Sequence, residues 1–156
     1  MKVIKLIVSI FICQSAGILG SIFTTPAISG WYTNLQKPSF APPNWVFAPV
    51  WISLFTLMGI SLYFFSEKGL KDKKVRLSLS IFFIHLVLNT LWSIIFFGLR
   101  SPYLAFIEII VLWFFIILTI VSFYKVSRKA AFLLLPYIFW VSFAAILNFY
   151  IWRINY

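Results

Sequence analysis

Five separate stretches of this chain are each long and apolar enough to cross a lipid bilayer, and little else about the fold remains open once that is noticed. A helix needs about 20 consecutive apolar residues to span the hydrocarbon layer. The runs 6–24, 45–65, 77–99, 103–124 and 130–152 have that length and character. An unpaired backbone N–H or C=O is too costly to leave in lipid, so each run is predicted to be α-helical. Composition agrees: 63% of the 156 residues are hydrophobic and only 10% are charged. A soluble domain is nearer half apolar and a quarter charged. The chain therefore reads as an all-α membrane protein, a single transmembrane domain over residues 1–156.

The breaks between runs are equally legible. Residues 25–44 hold Pro26, Gly30, Pro38, Pro42 and Pro43, and proline both removes a donor and stops helices. This segment is predicted to be an ordered aromatic and proline-rich loop between helices 1 and 2. Residues 66–76 are charged, 100–102 form a short turn with Pro102 placed to open the next helix, and 125–129 form the last break. The N-terminal run has no clean small-x-small cleavage site and continues for a full span, so it is expected to be retained.

The loops also give an orientation. Ten basic residues fall at the N-terminus and in the second and fourth breaks, against Lys37, Arg100 and Arg153 on the other side. The positive-inside rule places the N-terminus in the cytoplasm of a bacterial cell membrane, with the C-terminus and the long loop outside. It also explains the net charge of +10 without nucleic acid: the basic residues sit between apolar runs and form no basic face of a folded domain.

Several chemistries are excluded or left unsupported. Cys13 is the single cysteine and His85 the single histidine, so an internal disulfide and a bis-histidine haem site within one chain are ruled out. No metal-ligand spacing, nucleophile elbow or phosphate loop appears.

Polar residues within the spans are few, so each carries information. On the third span His85, Asn89, Trp92, Ser93 and Phe96 share one helical face. Such a face suits either a ligand cavity or hydrogen bonding between helices. On the fifth span Tyr137, Trp140, Ala144, Leu147 and Asn148 do the same, and Trp140 beside Ala144 would make a slot for a flat apolar ligand or an ordinary packing contact. Glu108 is the one acid well inside a span, roughly 9 Å past Pro102. A structural hydrogen bond to a neighbouring helix is its expected role. Ala16 with Gly20, and Gly17 with Ser21, form small-residue pairs that let helices approach closely. Leu147, Tyr150 and Arg153 fit a loose sterol-contact pattern that also arises by chance.

The least ordinary stretch is WYTNLQKPSFAPPNWVFAPVW, residues 31–51. Trp31 and Tyr32 suit a membrane interface. Pro42 and Pro43 set the entry to the second helix, and Pro49 is placed to bend it and aim Trp51 inward. A loop of this length and stiffness is expected to be a functional lid.

This loop closely resembles that of the TspO/MBR family, the tryptophan-rich sensory proteins and translocator proteins once called peripheral benzodiazepine receptors. The pattern WYxxLxKPxFxPPxWxFxPVW is met throughout residues 31–51, and LNxxWSxxFFG is met at Leu88, Asn89, Trp92, Ser93, Phe96, Phe97 and Gly98. Matches continue at Pro102, Ala105, Glu108 and Trp113, and at Pro136, Tyr137, Trp140, Ala144, Leu147, Asn148 and Arg153. The resemblance implies a five-helix bundle whose first loop covers a pocket for protoporphyrin IX, haem-pathway tetrapyrroles, sterols or isoquinoline-type drugs. The pocket would involve Tyr32, Pro42, Trp51, Phe55, Asn89, Trp92, Ser93, Trp140, Ala144 and Leu147. It implies no resident cofactor, with protoporphyrin or haem as ligand, and a homodimer as the common state. His85 stands where relatives often carry glutamine, which adds the expectation that this imidazole contacts the ligand or ligates a metalloporphyrin.

Three functions follow. One is a receptor or carrier for tetrapyrroles. A second is light-dependent porphyrin breakdown, which some bacterial relatives carry out, with Trp51 and Trp140 in the implicated positions. A third is a structural or regulatory membrane protein.

Overall fold

The computed structural model describes residues 2–69 and 71–156. Helix α1 spans Lys2–Ala27 and runs directly into a π-helical turn, Ile28–Tyr32; α2 is Asn44–Ser66; α3 is Lys73–Ser93, extended by a second π-helical turn, Ile94–Gly98. Helix α4 is Pro102–Tyr124, α5 is the short Arg128–Phe132, and α6 is Leu135–Asn155. No strand occurs among the described residues. Five helical segments are long and apolar enough to span a membrane, with α5 and α6 together forming the last.

Two boundaries differ from expectation. Pro26 does not end the first helix but rides within α1, and the predicted loop shrinks to residues 35–43. A transmembrane helix tolerates proline when side chains and locally widened turns take up the freed carbonyls. Here the π-helical turn Ile28–Tyr32 is such a widened turn, and hydroxyls bond the backbone on either side of the proline: Thr24 Oγ1 donates to Gly20 O at 3.1 Å, Ser29 Oγ to Pro26 O at 3.4 Å and Thr33 Oγ1 to Ile28 O. The fifth span is broken at Leu133–Leu134. Pro136 has no N–H to offer the carbonyl four residues back, so the helix restarts with the proline in its first turn.

The helices ring a common interior in the order α2, α1, α3, α4, α6. The pattern of burial is inverted relative to a soluble bundle. Trp45, Phe139 and Phe11 are exposed, whereas Ser61, His85, Asn89, Thr119 and Asn148 are buried. Lipid covers the outside, and polar side chains find partners only inside.

The bundle is closed at the end that carries α5 and open toward the first loop. At the closed end Phe65 and Phe123 stack with centroids 3.7 Å apart, Phe82 lies parallel to Phe123 at 5.6 Å, and Ser61 Oγ donates to Ala130 O at 2.7 Å. Gly59 sits there against α1: a Cβ placed on it would be 2.9 Å from Ile10 N and closer still to Ile10 Cα. Above this crossing Gln14 Nε2 donates to Ile52 O at 2.9 Å and to Thr56 Oγ1 at 3.0 Å. Toward the loop, aromatic rings bridge α2 and α6: Trp51 with Tyr137 at 6.3 Å and Phe47 with Trp140 at 6.1 Å.

The loop is fastened at its far side. Gln36 N donates to Asn155 Oδ1 and Asn155 Nδ2 donates back to Gln36 O, both at 2.9 Å. Phe40 packs edge-on against Phe143 at 6.3 Å and Tyr150 at 5.4 Å. Lys37 Nζ lies 4.6 Å from the centroid of the Tyr32 ring.

Candidate functional site

The open end of the bundle holds a cavity of 370 Å³, within the roughly 300–1,000 Å³ typical of small-molecule sites. Small residues on α1 make the room. A Cβ on Gly17 would strike the Phe55 ring at 2.5 Å, and one on Gly20 would lie 3.0 Å from Ser93 Oγ. The predicted small-residue pairs thus pack α1 against α2 and α3 inside the bundle.

Nine of the residues expected at a pocket line this cavity together: Tyr32 from the π-turn, Trp51 and Phe55 from α2, Asn89, Trp92 and Ser93 from α3, and Trp140, Ala144 and Leu147 from α6. Their orientations are fixed from behind. Trp92 Nε1 donates to Asn148 Oδ1 at 3.1 Å, while Asn148 Nδ2 donates to the Pro102 carbonyl at 2.7 Å. Asn89 Nδ2 donates to Tyr137 Oη at 2.9 Å. Trp51 stacks on Phe55 at 5.6 Å and Trp92 on Phe96 at 5.1 Å. The wall also carries polar groups with no protein partner: the buried indole N–H of Trp140, and the Ser93 hydroxyl and Asn89 side-chain oxygen, which enter no hydrogen bond among the described residues. The arrangement is an aromatic slot with a donor and acceptors at a few fixed points. It offers no nucleophile with a base beside it, and no group of metal-ligating side chains occurs among the described residues.

Two expected residues are not brought in. Pro42 lies in the extended run before α2, where its fixed φ sets the entry to the helix; Asn44 and Phe47 line the cavity instead. His85 lies one helical turn nearer the closed end than Asn89, where the helices have packed together. It is fully buried, with Nδ1 3.1 Å from Thr119 Oγ1 on α4 and its ring held beside Phe82 at 4.8 Å and Tyr137 at 5.7 Å. Axial ligation of a porphyrin metal in the cavity is therefore out of its reach. Glu108 is buried, yet neither carboxyl oxygen has the hydrogen bond expected of it. The sterol pattern does not converge either: Leu147 faces the cavity, while Tyr150 is exposed beside Phe40 and Arg153 lies over Trp152.

The contribution of α1 was not foreseen. Gln14, Ile18, Ser21 and Thr24 complete the wall, and Ile18 and Ile52 are each 58% exposed on the outside of the bundle. Residues that are both lipid-facing and cavity-lining mark an opening between α1 and α2, with the Gln14 hydrogen bonds as its lower edge. The small residues at 16, 17, 20 and 21 were the available signal, since a small stripe can border a hollow as well as a tight contact.

The chain matches the model of the TspO/MBR family over residues 9–153. It is similar to the tryptophan-rich protein TspO of Chlorobaculum tepidum, with 44% identity covering 99% of this chain and 98% of that protein. It is 46% identical to the tryptophan-rich protein TspO of Archaeoglobus fulgidus, covering 99% of each. The human translocator protein is 38% identical, covering 88% of this chain and 82% of that one. With five membrane-spanning helices and a family match across almost its whole length, the chain is a multi-pass integral membrane protein and belongs to the TspO/MBR family.

Proposed function

We propose that the chain is a membrane receptor or carrier for a flat, largely apolar ligand of the tetrapyrrole class, protoporphyrin IX foremost, held between α2, α3 and α6 beneath the first loop. The single observation that carries this reading is the wall itself: Trp51, Phe55, Trp92 and Trp140 around one cavity, with the Trp140 N–H, the Ser93 hydroxyl and the Asn89 oxygen unspent. Aromatic faces suit a conjugated macrocycle, and a few fixed polar groups suit its pyrrole and carboxylate edges. The opening between Ile18 and Ile52 suits a ligand that arrives dissolved in the bilayer. A sterol would meet the same apolar walls, but Leu147, Tyr150 and Arg153 give it no joint contact.

The test is tryptophan-fluorescence quenching by protoporphyrin IX, in the dark, on protein in nanodiscs, beside a Trp51→Phe/Trp140→Phe variant. Saturable quenching with a stoichiometric plateau, weakened in the variant, supports the reading. Linear quenching equal in both proteins means that the porphyrin only partitions into lipid and moves the assignment to a structural or regulatory role.

A second reading is favoured by the placement of Trp51 and Trp140 on the same wall. In this reading dioxygen would oxidise the photoexcited porphyrin, with both indoles placed to relay electrons between the two and return to their starting state. Illumination of the bound complex decides it: pigment loss that requires light and oxygen, and disappears in the double variant, marks an enzyme.

A further inference from the structure

At the closed end, between the loop after α2 and the turn before α5, the surface folds into a recess of 390 Å³ lined by Phe64, Glu67, Lys68, Ser127, Arg128 and Lys129. Three cations, Lys68 from the loop after α2 and Arg128 and Lys129 from the start of α5, face this one space. None of them pairs with an acid among the described residues, because Glu67 is engaged by Lys5 at 2.9 Å. Arg128 is braced from behind, its guanidinium carbon 5.3 Å from the centroid of the Tyr124 ring. The Ser127 hydroxyl makes no capping hydrogen bond and is available as a donor. The depth is equally specific. Phe64 lies in the last turn of α2 and Tyr124 is the last residue of α4, and both are exposed. Aromatic residues at helix ends sit at the headgroup level.

We propose that this recess is a binding site for the phosphate headgroup of an anionic phospholipid, with Lys68, Arg128, Lys129 and Ser127 on the phosphate and Phe64 against the first carbons of an acyl chain. Basic recesses between transmembrane helices on the cytoplasmic side are the usual form of such a site. The ten basic residues at this end make it the side the positive-inside rule assigns to the cytoplasm. A general surface charge would attract anionic lipid diffusely; the recess adds one place where a single headgroup meets three converging cations and a hydroxyl. This site is separate from the cavity and does not depend on what fills it.

The experiment is native mass spectrometry of the full chain released from nanodiscs of phosphatidylcholine with a minority of phosphatidylglycerol. Three proteins are compared: the parent, Lys68→Gln/Arg128→Gln/Lys129→Gln, and a control of equal charge loss outside the recess, Lys71→Gln/Lys73→Gln/Lys74→Gln. The expected result is one retained phosphatidylglycerol on the parent and the control, and roughly tenfold less on the recess variant, as three partly screened surface cations allow. Equal loss in both variants overturns the proposal, since charge would then act diffusely. So does the absence of phosphatidylglycerol selectivity in the parent. Displacement of the lipid by an equal concentration of inorganic phosphate overturns it too, because the recess would then be a site for free phosphate. Matching melting temperatures of the three proteins establish that a loss is not misfolding.

Discussion

Gly59 lies so close to the Ile10 backbone that α2 and α1 leave no room for even one carbon between them. Below this crossing the bundle is solid; above it the two helices part around the cavity. The absence of a side chain at residue 59 thus lets the closed end close. Gly59→Leu is expected to destabilise the protein by about 1–3 kcal/mol, the usual effect of forcing volume into a packed site. Thermal unfolding in detergent checks this against Gly30→Ala, where nothing lies within 4 Å of the new carbon and no loss is expected.

The lid is held by the reciprocal pair Gln36 and Asn155. Asn155→Ala removes both bonds and leaves two backbone groups of the loop to water. Amide exchange at residues 35–43 should quicken, and bound porphyrin should dissociate faster by roughly thirtyfold at most, since each of the two lost hydrogen bonds is worth about 1 kcal/mol. Unchanged exchange in the loop would show that the contacts of Phe40 and Lys37 keep the lid in place without the latch.

Glu108 and Asn148 are both buried polar residues in spans, and they should respond oppositely to removal. Glu108 has no hydrogen-bond partner among the described residues, so Glu108→Leu discards only the cost of burying it. The melting temperature should hold or rise. Asn148 serves Trp92 and the Pro102 carbonyl at once, so Asn148→Leu strands both and should cost about 1–3 kcal/mol.

His85 tests the boundary of the site. His85→Gln keeps a side chain able to bond Thr119 and should leave the porphyrin plateau, and any haem absorption spectrum, as in the parent. A haem band that differs between the two proteins would mean that in the parent the helices repack enough to bring the His85 imidazole to the metal.

The mouth between α1 and α2 predicts a kinetic effect without an equilibrium one. Ile52→Trp narrows the opening while leaving the deep wall intact. Association of protoporphyrin from preloaded vesicles should slow severalfold with the plateau unchanged. Entry past the lid, in contrast, would be indifferent to residue 52.

The spans were readable because lipid permits only one local structure at that length, so Leu6 to Thr24 or Tyr103 to Tyr124 needed no tertiary information. The aromatic wall was readable for a related reason: Asn89, Trp92 and Ser93 are polar enough to be conspicuous in an apolar helix. Pro26 misled, because a transmembrane helix can carry a proline through where its turns widen locally, as the π-helical turn Ile28–Tyr32 just beyond it does. His85 misled because helical periodicity gives a face but not a depth. It shares the side of α3 that carries Asn89, yet lies where α4 comes close enough for Thr119 to claim it. The side opening was invisible because it depends on where two helices diverge.

The two ends of the lid latch are separated by 119 residues, and this orders events during synthesis. Residues 35–43 leave the ribosome with α3, α4 and α6 still unmade, so for roughly 10 seconds at ordinary elongation rates the loop has nothing to fasten to. Until Asn155 arrives the nascent bundle has no roof. The α6 wall of the cavity is missing for most of the same interval, so the last helix completes the vessel and its last turn acts as the catch that shuts it.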